Sequence, residues 1–142
     1  MKNVIFIFIS IFLFGCAVSR NNQNTCKYYW DKNLKSRVYT EVDSFPFYSK
    51  NEQRDIAQYI QEEFKFPVQN EFQSRTVLSF IVNKKGKVIN PTIVRKDTSR
   101  YTLFDKEAIR VYKNMKRWNP GKCNGKEVNT KVVRVLGFLL KK

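Results

Sequence analysis

The sequence predicts an α+β domain, a small antiparallel sheet of about three strands with two helices on one face. Three observations predict it. Phe104, Ala108, Val111, Tyr112 and Met115 recur at helical spacing and mark one amphipathic helix. Thr76 to Val82 and Val88 to Val94 read as two strands around a Gly-containing turn. Lys131 to Leu140, KVVRVLGFLL, is a β-branched and apolar run of strand character. A further helix precedes the first strand, so the order is helix, strand, hairpin, strand, helix, strand. Two helices covering one face of an antiparallel sheet bury those apolar faces together.

Taken in order, the first helix is marked by Ile56, Ile60 and Phe64, four residues apart, with Ala57 beside them. Ser49 and Glu52 form a capping-box pattern ahead of it, and Phe66-Pro67 ends it. In the next strand Leu78, Phe80 and Val82 share one face, and Val77 and Ile81 the other. Asn83-Lys84-Lys85-Gly86-Lys87 supplies the hairpin turn. Pro91 in the return strand lacks a ladder donor, which argues for an edge or a bulge. Thr102 can cap the second helix, with Asp105 three residues on and Glu107 also near its positive end. Lys113, Lys116 and Arg117 stand near its negative end. Pro120 and Gly121 cannot continue it.

Before the first helix, Lys27 to Leu34 is aromatic and charged. Tyr28, Tyr29 and Trp30 either dock on the domain or sit near a membrane interface, docking being the plainer choice. Val38 to Phe47 alternates in part and reads as a short strand or an extended lead.

The parts from Phe66 onward also stand in a recognisable order. They are Phe66-Pro67, the strand Val77 to Val82, Lys85-Gly86-Lys87 and the helical Leu103 to Ile109. Trp118-Asn119-Pro120-Gly121, Gly125-Lys126 and the strand Val132 to Phe138 follow. That order resembles the C-terminal domain of TonB over roughly the last two thirds of the chain. Ser74-Arg75-Thr76-Val77 stands where the family often has a Gly before the strand. The resemblance implies an α+β domain that binds an extended segment of an outer-membrane transporter, or of an accessory envelope protein, by adding a strand to a sheet edge. Backbone groups supply affinity in that mode, and neighbouring side chains give selectivity. The corresponding strand here is the last one, with Lys131, Val133, Arg134 and Val135 as the candidate edge residues. The alternative role of Val133, Val135 and Leu139 is core packing against the helices. A homodimer through the same edge is a further partner of this kind. Trp118 and Pro120 match a structural signature of the family and read as packing and turn residues.

The N-terminus sets the context. Val4 to Phe14 is an apolar run interrupted only by Ser10, shorter than the roughly 20 residues a membrane-spanning helix needs. After the short, weakly basic Met1-Lys2-Asn3 it suits the h-region of a signal peptide. Leu13-Phe14-Gly15-Cys16 then resembles a bacterial lipobox, with Cys16 as the lipidated residue; an ordinary signal peptide with an incidental Cys is the alternative. Two or more acyl chains would anchor the chain stably, at about 0.8 kcal/mol per buried CH₂. The expected organisation is a signal peptide over 1–15, a lipidated tether and extended lead over 16–44, and the domain over 45–142. An energy-transducing TonB has a transmembrane helix and a Pro-rich arm; the four prolines here are scattered through the folded region. No acidic residue follows Cys16 closely, so no cue resembling the acidic surface signal of some lipoproteins is seen; the expected location is the outer membrane, facing the periplasm.

Composition narrows the function. The 142 residues are 42% hydrophobic and 15% aromatic, enough for one core, and carry a net charge of +15. Such charge favours acidic partners. Export argues against nucleic acid, and the basic residues are dispersed along the sequence rather than gathered in one block. With Cys16 lipidated, Cys26 and Cys123 remain, and an even pair in an oxidising compartment suggests a disulfide; two thiols too far apart to meet is the other reading. With no His and only two spare thiols, a metal site has little support, and no cofactor is implied. Asp105 and Glu107 point to different helix faces and make a poor acid–base pair. No nucleophile motif or phosphate loop appears, so the chain is not read as an enzyme. The alternative to a transport-associated binding module is a basic scaffolding lipoprotein that holds cell wall or anionic lipid.

Overall fold

The computed structural model describes residues 26–48, 56–67 and 74–138. The lipobox with Cys16, the Ser49–Glu52 capping pattern and the end of the last strand beyond Phe138 lie outside the described residues. Nine strands and two α-helices are present among those residues, in the order β1 (Lys27–Asp31), β2 (Ser36–Glu41), β3 (Phe47–Tyr48), α1 (Ile56–Glu63), β4 (Arg75–Val82), β5 (Val88–Ile93), α2 (Leu103–Asn114), β6 (Trp118–Asn119), β7 (Gly121–Cys123), β8 (Lys126–Val128) and β9 (Thr130–Gly137).

The expected three-stranded arrangement is the centre of the main sheet, with β9 beside β4 and β4 beside β5, all antiparallel. The strand number is corrected. The sheet has five strands in the order β1-β2-β9-β4-β5. The two extra strands come from the segment placed ahead of the domain. There β1 and β2 form an antiparallel hairpin, and β2 joins β9 in parallel at Tyr39 and Thr130. The α+β class holds, and both helices contribute to the same core.

Alternation along β4 and β9 builds that core. Leu78, Phe80 and Val82 from β4 meet Val132 and Leu136 from β9. From α2 come Phe104, Ala108, Val111 and Tyr112, followed by Met115; α1 adds Tyr59 and Ile60, with Phe64 just past its end. Fully burying such side chains stabilises by roughly 1.5–3 kcal/mol each. Burial pushes the Tyr112 phenol up to about 12. Trp118 packs against Tyr48 and Phe80, at 5.7 and 5.4 Å between ring centroids. Its backbone also lies against the β4–β5 turn, where Trp118 N–H donates to the Gly86 carbonyl at 3.1 Å. Gly86 has φ +68, and a Cβ there would stand 2.0 Å from the Trp118 carbonyl oxygen. Only glycine fits that close approach.

The start of α2 carries a full capping box. Thr102 Oγ1 accepts from the Asp105 amide, and the Asp105 carboxylate accepts from the Thr102 amide. Asp105 is fully buried. Its carboxylate also accepts from Thr76 Oγ1 at 2.8 Å and from the Lys96 ammonium. The cap therefore also joins α2 to β4 and to the loop after β5. The sequence pattern identified the cap but carried no signal for Thr76 and Lys96, which come from other elements.

Candidate functional site

The hydrogen-bond pattern of β9 determines what its backbone can offer. Register pairs Thr130 with Val82 at one end and Gly137 with Arg75 at the other. Beyond the strand, the Phe138 amide donates to the Ser74 carbonyl at 2.9 Å. Antiparallel ladders alternate bonded and non-bonded pairs. The even-numbered residues of β9 therefore bond to β4, and the odd-numbered ones turn their amides and carbonyls to the opposite side. At the strand's start, the Tyr39 amide donates to the Asn129 carbonyl at 2.8 Å, which fits the same parity.

The opposite side is only partly occupied. Among the described residues β2 meets β9 at a single register pair, Tyr39 with Thr130. Past that point no described strand covers β9. Val133 and Val135 thus present backbone donors and acceptors to an open edge. Their side chains lie on the helix-free face and are 55% and 53% exposed.

The four candidate edge residues divide accordingly. Val133 and Val135 occupy the open stretch. Lys131 sits at the covered end, its ammonium over the Tyr29 ring of the hairpin at 5.9 Å from the centroid. Arg134 bonds through its backbone to β4, opposite Leu78, and its exposed side chain emerges on the helix side. There its charge acts on Tyr112. The alternative reading, core packing of Val133 and Val135, is corrected: both are exposed, because the alternation of β9 turns Val132 and Leu136 to the helices instead, and Leu139 lies outside the described residues.

The hairpin that limits this edge is fastened in three ways. Cys26 and Cys123 are joined as a disulfide, with Cα atoms 6.1 Å apart, inside the usual span for such a bridge. The Asn124 amide donates to the Asp43 carboxylate at 2.6 Å, and Asp43 and Ser44 bond along β7 through the Lys122 carbonyl. The Asn129 side chain donates to Ser36 Oγ at 3.1 Å and accepts from the Lys84 amide at 3.2 Å. Asp43 also lies beside the two sulfurs, but the disulfide uses both thiols, so the three residues do not form a metal-ligand set. Asn124 and Gly125, both at positive φ, make the tight β7–β8 turn that brings Cys123 into place.

Aromatic rings pack together at the far end of β9. Phe138 packs against Phe64 and Phe66 at 4.8 and 4.6 Å between centroids. The Lys65 amide donates to the Glu107 carboxylate at 2.8 Å, and Arg110 donates to both Glu107 oxygens. The described part of the open edge thus runs from the hairpin to Phe138, whose ring packs on the helix-side face.

A family model for the C-terminal region of the Gram-negative bacterial TonB protein matches residues 68–138, half of the chain. The chain belongs to the TonB C-terminal family. The match runs from just after Phe66-Pro67 to Phe138 and takes in β4, β5, α2 and β9. It leaves out the β1–β2 hairpin and α1. Comparison with curated proteins and with solved structures returned no match. As a member of this family the chain is an envelope protein module associated with transport, of a kind whose partners are outer-membrane transporters. Its family is one of protein-interaction domains rather than catalysts. No helix among the described residues is long and apolar enough to cross a membrane.

Proposed function

We propose that this chain is an envelope lipoprotein, anchored through Cys16 to the outer membrane and facing the periplasm. Its TonB C-terminal domain binds an extended segment of an outer-membrane transporter, or of an accessory protein, as an added strand along β9. One observation carries the reading: the ladder turns the backbone groups of Val133 and Val135 toward an edge that β2 covers only at Thr130. An added strand would satisfy those groups, and each net hydrogen bond contributes about 1 kcal/mol. Val133 and Val135 would flank the incoming segment on one face and Arg134 on the other. The hairpin limits the added strand at the Thr130 end.

The test is capture from detergent-solubilised envelopes, with the mature chain as bait at low and high salt. The expected result is salt-resistant recovery of a transporter, identified by mass spectrometry and lost with Val133→Pro in a variant that still unfolds cooperatively with the native circular dichroism. Recovery that ignores Val133→Pro would refute strand addition. Concentration-dependent self-association lost with the same substitution would assign the edge to a second copy of the chain instead.

A further inference from the structure

The end of the sheet near the β4–β5 turn gathers cations that are far apart in sequence. Lys85 and Lys87 from the turn meet Lys113 at the end of α2 and Lys116 and Arg117 beyond it around one concavity of about 380 Å³. Its floor is Gly86, Val88 and Met115, all buried. Arg117 is held at φ +71, a backbone region that few non-glycine residues adopt. No acidic residue lines the concavity, and among the described residues none of these five side chains is in an ion pair.

A second concavity of about 350 Å³ lies on the other side of the same turn. It is lined by Lys35, Arg37 and Lys84 together with Trp30, again without an acidic residue. Trp30 is 61% exposed. Lys84 of one concavity and Lys85 of the other are neighbours in the turn, and together the two concavities are lined by eight cations, with an exposed indole in the second. The hairpin β1–β2, outside the family match, supplies Trp30, Lys35 and Arg37.

We infer that this end of the sheet is a docking surface for a membrane rich in anionic phospholipid, with lipid phosphates seated among Lys85, Lys87, Lys113, Lys116 and Arg117. Two arguments select a lipid surface over an acidic protein. Trp beside Lys and Arg is the composition that settles at a membrane–water interface, where the amphipathic ring lies at headgroup level. The chain between Cys16 and Cys26 reaches at most about 35 Å when fully extended, so a domain anchored at Cys16 stays close to a bilayer. That second argument rests on the lipoprotein reading; the cation cluster does not. Docked in this way, the domain would lie with β9 oriented by two points, the anchor and the cationic end, rather than swing freely.

The experiment uses the mature chain, Cys16 to Lys142, with Cys16→Ser to remove the acyl acceptor, so an error in the lipidation reading does not affect it. Co-sedimentation is measured with phosphatidylcholine vesicles with and without phosphatidylglycerol. Binding only to the anionic vesicles is expected, falling as salt rises, with a blue shift of Trp30 fluorescence that Trp30→Phe removes. Near an anionic surface each Lys or Arg strengthens binding about fivefold, so Lys85→Glu with Lys116→Glu should weaken it by far more than tenfold. Both positions are exposed, and an unchanged Tm is the folding control. Equal binding to neutral vesicles, or binding unaffected by the two reversals, would overturn the proposal. So would inorganic phosphate at matched phosphate concentration abolishing vesicle binding, or poly-glutamate binding as tightly as the vesicles. Those two results would assign the surface to free phosphate or to an acidic protein.

Discussion

The β5 and β9 edges of the β4-centred sheet are built in opposite ways. Along β5 the outward positions are blunted. Pro91 has no amide to offer, and Asn90, at φ +50, sits where the β4–β5 register shifts. The outward amide of Ile93 is already taken by the Tyr101 hydroxyl at 3.0 Å. These are the devices by which sheets avoid unwanted pairing. Along β9 none of them is present at Val133 and Val135, which carry ordinary amides, β-branched side chains and no local cover among the described residues. One edge is closed by covalent chemistry and a side-chain acceptor. The other is left able to pair, and only its first residues are covered, by a hairpin held through a disulfide.

The largest test of this contrast removes the disulfide. The bridge closes a separation of 97 residues, and the chain-entropy model gives about 4–5 kcal/mol for a loop of that size. Cys26→Ser with Cys123→Ser should lower stability by that order in urea unfolding. Amide exchange at Lys131 should also speed up as the hairpin loosens, while exchange at Ile93 stays the same. Equal acceleration at both amides would mean that the hairpin steadies the whole sheet rather than covering one edge.

Proline substitution along β9 reads the ladder parity directly. Arg134→Pro removes an amide bonded to β4 in the middle of the sheet, where proline is essentially excluded, and should cost well over the about 1 kcal/mol of one net hydrogen bond. Val133→Pro removes an amide that faces the open edge and should cost clearly less. Chemical denaturation of the two variants decides the point. Similar losses would mean that the outward amide of Val133 already has a partner in the free protein.

How much of this was legible beforehand follows from the kind of signal each part leaves. The core of the sheet and α2 were readable because Leu78, Phe80 and Val82 alternate and Phe104 to Met115 repeat at helical spacing. The Thr102–Asp105 cap was readable because its partners are three residues apart. The strand β1 left no such mark. Its residues Lys27 to Trp30 are exposed on both faces, so no two-residue apolar alternation exists, and it is a strand because it pairs with β2. The edge of β9 was locatable as a strand, but which residues face outward depends on register against β4, and Lys131 and Val133 differ only in what β2 covers. The cationic end was invisible for a related reason. Lys85 and Lys116 are brought together by the fold, whereas along the chain the basic residues look evenly spread.

A smaller effect tests the β5 side. Tyr101→Phe deletes the hydroxyl that accepts from the Ile93 amide and keeps the ring packed against the core. Leaving a part-buried amide without its acceptor should cost about 1 kcal/mol. Exchange at Ile93 should rise in this variant and remain unchanged at Val135. If the edge contrast depends on Tyr101, the variant should also gain a weak tendency to associate at high concentration, detectable by sedimentation velocity. An unaltered Ile93 exchange rate would show that Pro91 and the register shift suffice to close that edge.

The smallest effect concerns the aromatic cluster at the far end of β9, and it is read through pH. The Arg110 guanidinium bonded to Glu107 holds the Glu107 carboxyl below its ordinary value of 4.5, opposed by partial burial and helped by the Lys65 amide. A carboxylate depressed in the folded state contributes stability that is fully present above the unfolded value. That contribution is lost as pH falls through the folded value. The Lys65–Glu107 bond ties the Phe64–Phe66 segment to α2, and those rings in turn hold Phe138 at the end of β9. Acidification from the ordinary value of 4.5 down through the lowered folded value should therefore loosen the packing at the C-terminal end of β9 before the whole domain unfolds. Exchange or side-chain resonances of Phe66 and Phe138 would report it, with Glu107→Gln showing the same looseness at neutral pH and no further change on acidification. If Glu107→Gln keeps the acid response of the unmodified chain, the titration belongs to another carboxyl, and the far end of β9 rests on ring packing alone.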